Sequence, residues 1–230
     1  MRSISTFSLI TSQSLDILGL TETKVLQDSA ALSHCTPPSH QVFHNARSST
    51  ARFPQGGGVA IITSKRLAAK RYKYTEKVSS FEYIIVEFQG IDKPGLIVNI
   101  YRPPSGSFTT FTEEFSLLID TINVPNRDLI IIGDFNLHIN DPNNINGSRF
   151  SHLLNDLSLQ NHVHAPTYRH SNHTLDLVID SYTESYLEPI VSDVKVCEVS
   201  SYSDHSLVTF NVNCRPFFAK QDTTITFRKY

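Results

Sequence analysis

The chain is 230 residues long, with 40% hydrophobic and 18% charged residues, which suits one sizeable globular core. A formal net charge of −2 excludes a chain-wide pull toward nucleic acid, so any such binding must rest on a local patch. Cys35, Cys197 and Cys214 have no metal-type spacing and suit reduced thiols better than a disulfide framework. No apolar run approaches the roughly 20 residues of a membrane span, and Met1–Thr6 lacks the apolar core of a secretory signal, so a soluble intracellular domain is expected.

Ile4, Phe7 and Ile10 fall at helical spacing, and Leu15–Leu20 reads as a strand running into Thr21-Glu22-Thr23. Residues 28–55 read as loop. Gly56-Gly57-Gly58 then leads into the strand Val59–Ile62; no Walker lysine follows, so a tight lead-in to a strand fits better than a phosphate cradle. Residues 64–77 hold Lys65, Arg66, Lys70, Arg71, Lys73 and Lys77, interleaved with Tyr72 and Tyr74. That composition fits a nucleic-acid contact and equally a solvated edge hairpin guarded by lysine. Phe81–Phe88 and Leu96–Tyr101 are strands joined by a turn, the second stopped by Pro103-Pro104.

Phe108, Phe111, Phe115, Leu118, Ile119 and Ile122 mark a helix face, with Thr110 and Glu113 as a capping box. Leu129–Ile132 is a strand buried on both faces, ended by Gly133-Asp134-Phe135-Asn136. Side chains two apart on a strand share a face, so Asp134 and Asn136 should stand together where a buried strand emerges. The competing reading is a turn closed by an Asx hydrogen bond. After the loop 140–147, Phe150, Leu153, Leu154 and Leu157 mark a second helix. His162, His164, His170 and His173 read as loop histidines rather than a zinc site. Thr174–Ile179 is a strand carrying Asp176 within an apolar run, a costly position unless the carboxylate is hydrogen-bonded. Residues 181–200 read as irregular, and Ser203-Asp204-His205 precedes the strand Ser206–Val212. Many strands with two clear helices, and no strict strand–helix alternation, favour a sandwich of sheets flanked by helices.

Glu22, Tyr101, the Asp134/Asn136 pair, Asp176 and the Asp204/His205 pair thus all sit at strand ends or starts. Thr21-Glu22-Thr23, Ile100-Tyr101-Arg102-Pro103-Pro104, Gly133-Asp134-Phe135-Asn136, Leu175-Asp176 and Ser203-Asp204-His205, in this order, resemble the endonuclease/exonuclease/phosphatase superfamily. Asp16–Thr23, Gly56–Ala60 and Thr174–Ile179 are similar to endonuclease domains of LINE-type (non-LTR) retrotransposons. The resemblance implies a four-layered α/β sandwich, two mixed β-sheets packed face to face with helices outside, over residues 1–213. Residues 214–230 resemble the start of a linker. It implies Mg²⁺-dependent (or Mn²⁺-dependent) nicking of DNA, with Glu22 and Asp204 as carboxylates on the metal. Asp134 would orient or deprotonate the attacking water, with Asn136 beside it. His205 would donate to the scissile phosphate with its tautomer fixed by Asp176, and Tyr101 and Arg102 would contact that phosphate. Lys70, Arg71 and Lys73 are the candidate DNA contacts, the nucleus the expected compartment, and a reverse transcriptase domain the expected companion in a full-length element.

Two departures from the family pattern stand out. Family members open with a strand ending in Asn shortly before an Arg-Ser pair, whereas Arg2-Ser3 here follows Met1, so a fold lacking that strand is expected. Lys24 stands where an aromatic residue often follows the Thr-Glu-Thr motif. An inactive, weakly DNA-binding remnant and a phosphatase of the same superfamily therefore remain as alternatives.

Overall fold

The alternating and continuous apolar runs in the middle of the chain build a six-stranded mixed sheet. The computed structural model describes residues 3–27, 29–47, 56–89, 93–181, 190–197 and 203–213. The sheet comprises β4 (Lys70–Arg71), β5 (Glu82–Phe88), β6 (Gly95–Tyr101), β7 (Asp128–Asp134), β8 (Leu159–Asn161) and β9 (Asp176–Ser181), in the order β4-β5-β6-β7-β9-β8. Neighbours are antiparallel except β6 and β7, which run parallel. The period of two sorts its side chains into two cores. Leu96, Val98, Leu129 and Ile131 face α3 (Phe108–Ile122) and α4 (Ile145–Asp156), whereas Ile97, Ile130 and Ile132 face a second layer of strands.

That second layer holds β1 (Ile17–Leu20), β2 (His40–Asn45) and β3 (Val59–Ser64), antiparallel in the order β1-β3-β2, and the hairpin β10 (Val191–Cys197) and β11 (Leu207–Val212). Among the described residues, β1 pairs only with β3 and β11 only with β10, so the layer is split. On its outer side, Ile10 of α1 (Ser3–Ser12) packs with Leu18 and Ile62; the short α2 (Ala31–His34) buries Leu32. Helices, sheet, split sheet and helix make the four layers expected.

Several local expectations change. The segment expected to be loop contains β2, paired with β3 along its whole length. Only Val42 and Phe43 are apolar in it, one for each face, so periodicity has little to register. β10 lies in the stretch read as irregular. A bulge between Ser192 and Lys195, with Asp193 at φ 52°, breaks the period of two and turns Val191, Val194 and Val196 into one core. The cap of α3 is Ser107, whose hydroxyl accepts the Thr110 N–H at 3.2 Å, rather than the Thr110–Glu113 box. α4 starts inside the expected loop, with the Asn144 side chain accepting from the Gly147 N–H at 2.8 Å. The tail 214–230 lies outside the described residues.

Candidate active site

Everything at the site hangs on the end of β7. Gly133 has φ +134°, and a Cβ there would lie 1.9 Å from the Ile100 carbonyl oxygen; only glycine lets β6 and β7 approach this closely. The parallel register then sets Tyr101 beside Asp134, and the antiparallel register with β9 sets Asp176 on its other side. Two further backbone bonds, Arg102 N–H to Asp134 O and Phe135 N–H to Leu175 O, both 2.9 Å, carry the ladder past the strand end. Phe135 turns inward, fully buried against Phe111, Phe115 and Phe150, and anchors the turn between its two polar neighbours.

Asp134 is 5% exposed. Its Oδ1 accepts the Asn136 N–H at 2.9 Å, and its Oδ2 accepts the Asn136 side-chain amide at 3.1 Å. The Asx turn and the paired site are therefore one structure, held with Asn136 at φ 48°. Burial first, and then the neighbouring Asp176 carboxylate, push the Asp134 carboxyl up to about 7 against the pull of the His205 charge.

Asp176 Oδ2 meets His205 Nδ1 at 2.7 Å. Burial works against the His205 charge, but the Asp176 bond and the charges of Asp176, Asp134 and Asp204 outweigh it and raise the imidazole to about 9. Thr167, buried, accepts the N–H groups of Leu175 and Asp176, both at 3.0 Å. Its carbonyl takes the Ser206 N–H at 2.7 Å, so one threonine ties the Asp176 strand to the His205 loop. Tyr168 packs its ring 5.1 Å from that of His205.

Glu22 closes the third side. It has φ 47°; its Oε1 accepts the Tyr101 phenol, and its Oε2 lies 3.1 Å from the Lys24 ammonium. Partial burial tends to raise this carboxyl, but the Tyr101 bond and Lys24 prevail and hold it below the usual range. Tyr101, buried beside Glu22 and Asp134, has its phenol pushed up and stays protonated. Glu22, Tyr101, Asp134, Asn136, Asp176 and His205 are thus brought together, with Asp204 exposed at the rim beside His205.

Of the cations expected to contact DNA, Arg102, Lys70 and Arg71 have partners within the fold. Arg102 is not at the surface: it is 3% exposed, lies 5.3 Å from the centroid of Phe111, and donates to the Gly106 carbonyl at 3.0 Å and more loosely to those of Phe135 and Asn136. A guanidinium whose two Nη atoms are spent on carbonyls, with Nε buried and without a partner among the described residues, braces the strand-end turn from beneath rather than reaching a phosphate. Lys70 and Arg71 form the edge strand β4; Lys70 pairs with Glu87 at 3.0 Å, and Arg71 donates to Asn45 and to the His44 carbonyl at 2.6 and 2.8 Å. Lys73 is exposed just beyond. The stretch is a solvated edge of the sheet, which both readings of it allow. The histidines read as loop residues behave so: His173 stacks on His138 at 3.9 Å and His162 bonds Asp180 at 2.8 Å. A cleft of about 310 Å³ between α4 and β8, lined by Ser151, Asn155, Gln160 and His164 among others, shares no residue with the site.

A sandwich of two strand layers flanked by helices, with acids and one histidine gathered at its strand ends, defines a fold of the endonuclease/exonuclease/phosphatase class. The fold superposes on the endonuclease domain of TRAS1, a telomere-specific non-LTR retrotransposon, with TM-score 0.71 and 15% identity, covering 94% of each chain. It superposes on an AP endonuclease of Leishmania major with TM-score 0.68 and 13% identity, over 89% of this chain and 80% of that one. A mannosyl-6-phosphatase of Bacteroides thetaiotaomicron gives 0.62 and 13%, over 92% and 90%. Likeness at these identities establishes the fold. No curated protein matches the sequence. The chain belongs to the endonuclease-reverse transcriptase family, whose sequence profile matches residues 95–209, half of its length. No described helix is long and apolar enough to cross a membrane.

Proposed function

We propose that the chain is a retrotransposon-type endonuclease domain that nicks DNA, in the nucleus, by metal-dependent phosphodiester hydrolysis. The observation that carries this reading is the opposed pair Asp134 and His205. Two titratable groups in one site are poised so that, between about 7 and about 9, the carboxyl is ionised and the imidazole protonated. Such a separation assigns base and acid. Asp134 takes the proton of a water that attacks phosphorus, held in line by the Asn136 side chain. Nδ1 of His205 is committed to Asp176, so Nε2 is the atom that donates to a phosphate oxygen as charge builds on it. Tyr101 spends its one phenol proton on Glu22 and so acts here by holding that carboxylate.

The donor set suits a hard divalent cation: Glu22 and Asp204 offer only oxygen, and the Lys24 ammonium already rests on Glu22. Among the described residues no group of three or more acid, histidine or cysteine side chains is placed to hold a metal ion. Mg²⁺ needs none, since it keeps several waters and takes one or two carboxylates with substrate phosphates. When bound, it stabilises charge on the phosphoryl and leaving oxygens.

Supercoiled plasmid incubated with the chain should relax to open circles only with Mg²⁺ or Mn²⁺. Asp134→Asn and His205→Ala should each cut the rate by about 10²–10⁴-fold. Nicking that persists in EDTA and survives both changes overturns the reading. Release of inorganic phosphate from sugar phosphates without nicking would move the chain to the phosphatase branch of the class.

A further inference from the structure

The turn that carries Glu22 has no strand of its own; it hangs on the glycine-rich lead-in to β3. The Lys24 N–H donates to Gly57 O at 2.8 Å and the Thr23 N–H to Gly58 O at 3.1 Å. Both glycines have positive φ, and a Cβ would lie 2.3 Å from Arg47 Nη2 at Gly57 and 2.5 Å from Thr23 Oγ1 at Gly58. The segment is therefore wedged between Arg47 and the Glu22 turn. Glu82, the register partner of Tyr101, holds it from the other side. Its Oε2 accepts the Gly58 N–H at 2.5 Å and its Oε1 accepts Arg47 Nε. Arg47 and Glu82 side chains are only 14% and 20% exposed, and the guanidinium carbon lies 5.6 Å from the Tyr101 ring centroid.

We infer that the Arg47–Glu82 ion pair is a positioning device for the Glu22 carboxylate. Glu82 fixes the glycine peptide from which the Glu22 turn hangs, and Arg47 directs the single phenol proton of Tyr101 onto Glu22. A phenol has one proton and accepts elsewhere on its oxygen. A cationic donor beside Tyr101, as Arg47 is, leaves that proton Glu22 to serve. Glu22 Oε1 is thereby committed, and Oε2 faces Lys24, an exposed partner of the weak, displaceable kind. Oε2 is the atom left for a divalent cation. The inference rests on the metal-dependent reading above and names what orients its carboxylate.

Residues that orient a metal carboxylate typically change metal affinity or activity by about 10–100-fold when removed. The test compares the full chain with Arg47→Gln, Glu82→Gln, the double variant and Arg47→Lys. The measurements are Mn²⁺ affinity by titration calorimetry, thermal midpoint, and KM and kcat for plasmid nicking. The expected result is Mn²⁺ affinity about 10–100-fold weaker in each glutamine variant, the double variant no worse than either single one, and KM for DNA within about twofold of wild type. Arg47→Lys, which keeps the charge but has no fork to serve Glu82 and Tyr101 together, should fall in between and gives the reading if a glutamine variant does not fold. Folded variants that bind Mn²⁺ as tightly as wild type overturn the inference, even if their midpoints drop, and leave the nuclease reading standing. A wild-type chain that binds Mn²⁺ but never nicks sinks the nuclease reading while the affinity series still decides the clamp; one that does neither overturns both.

Discussion

Asp134→Asn should make the metal-free chain more stable at pH 8 and less stable at pH 4.5. The Asp134 carboxyl rises from 3.8 to about 7 on folding, and each factor of ten in proton affinity is about 1.4 kcal/mol. Keeping it ionised in the fold therefore costs on the order of 4 kcal/mol. The sign follows from the direction: a carboxyl raised on folding carries no penalty while protonated, acquires it as pH climbs from about 4 to 7, and bears it in full above. Asparagine removes the penalty but loses one of the two bonds from Asn136, the amide contact at 3.1 Å, worth about 1–3 kcal/mol for a charged acceptor. It also removes one of the charges that favour protonated His205. The balance is a gain of about 1–3 kcal/mol at pH 8, or roughly 2–4 °C in thermal midpoint per kcal/mol for a chain of this size, turning to a loss of about 1 kcal/mol at pH 4.5. Thermal unfolding followed by circular dichroism in EDTA at both pH values measures it, with plasmid nicking run in parallel. A substitution that destabilises equally at both pH values would show that Asp134 is a satisfied structural carboxylate and refute the reasoning.

Asp176→Asn should lower stability by about 1–3 kcal/mol at pH 6 and by progressively less as pH passes 9, because the His205 contribution is complete below its unfolded value of 6.5 and fades through about 9; urea unfolding at three pH values checks this. Gly133→Ala should cost at least about 3 kcal/mol or prevent folding, since the added Cβ would meet the Ile100 carbonyl at 1.9 Å; soluble yield and midpoint report it. Arg102→Met should lower stability by about 2–4 kcal/mol through unpaired carbonyls yet leave the KM for DNA within about twofold; a tenfold rise in KM with an unchanged midpoint would put Arg102 back at the phosphate.

Legibility followed how local the physics is. The β7 run and the alternation Asp134/Asn136 could be read from the sequence because burial on both faces and a period of two are properties of neighbouring residues. Asp176 announced itself as an acid in an apolar run, and its partner His205 is where the resemblance puts it. β2 and β10 escaped for opposite reasons: the first carries only two apolar side chains, and the second hides its valines behind a bulge at Asp193. Arg47, Glu82 and Thr167 escaped because their roles exist only after folding; Arg47 and Glu82 are 35 residues apart in the chain, with no pattern between them. The basic run at 64–77 was legible as composition, and its partners were not. Asp16 takes Arg66 at 2.5 Å and Glu87 takes Lys70 at 3.0 Å, so the edge carries less free charge than a count of lysines suggests.

Three carboxylates meet at the end of β7, and the fold treats them unequally. Glu22 is held by Tyr101 and Lys24, and Asp176 is held by His205 with its backbone fixed by Thr167. Asp134, more buried than either, receives only Asn136. A network built for stability has no reason to leave its innermost acid with the weakest compensation, since a buried carboxylate that no cation bonds directly is among the costlier arrangements a fold can keep. On the metal-dependent reading proposed above, the missing partner arrives with the substrate, as a proton leaving water or as a cation shared with a phosphate. Glu22, Asn136 and Gly133 all hold positive φ at this one rim, and the buried phenylalanines behind Phe135 anchor the turn that presents Asn136 to Asp134.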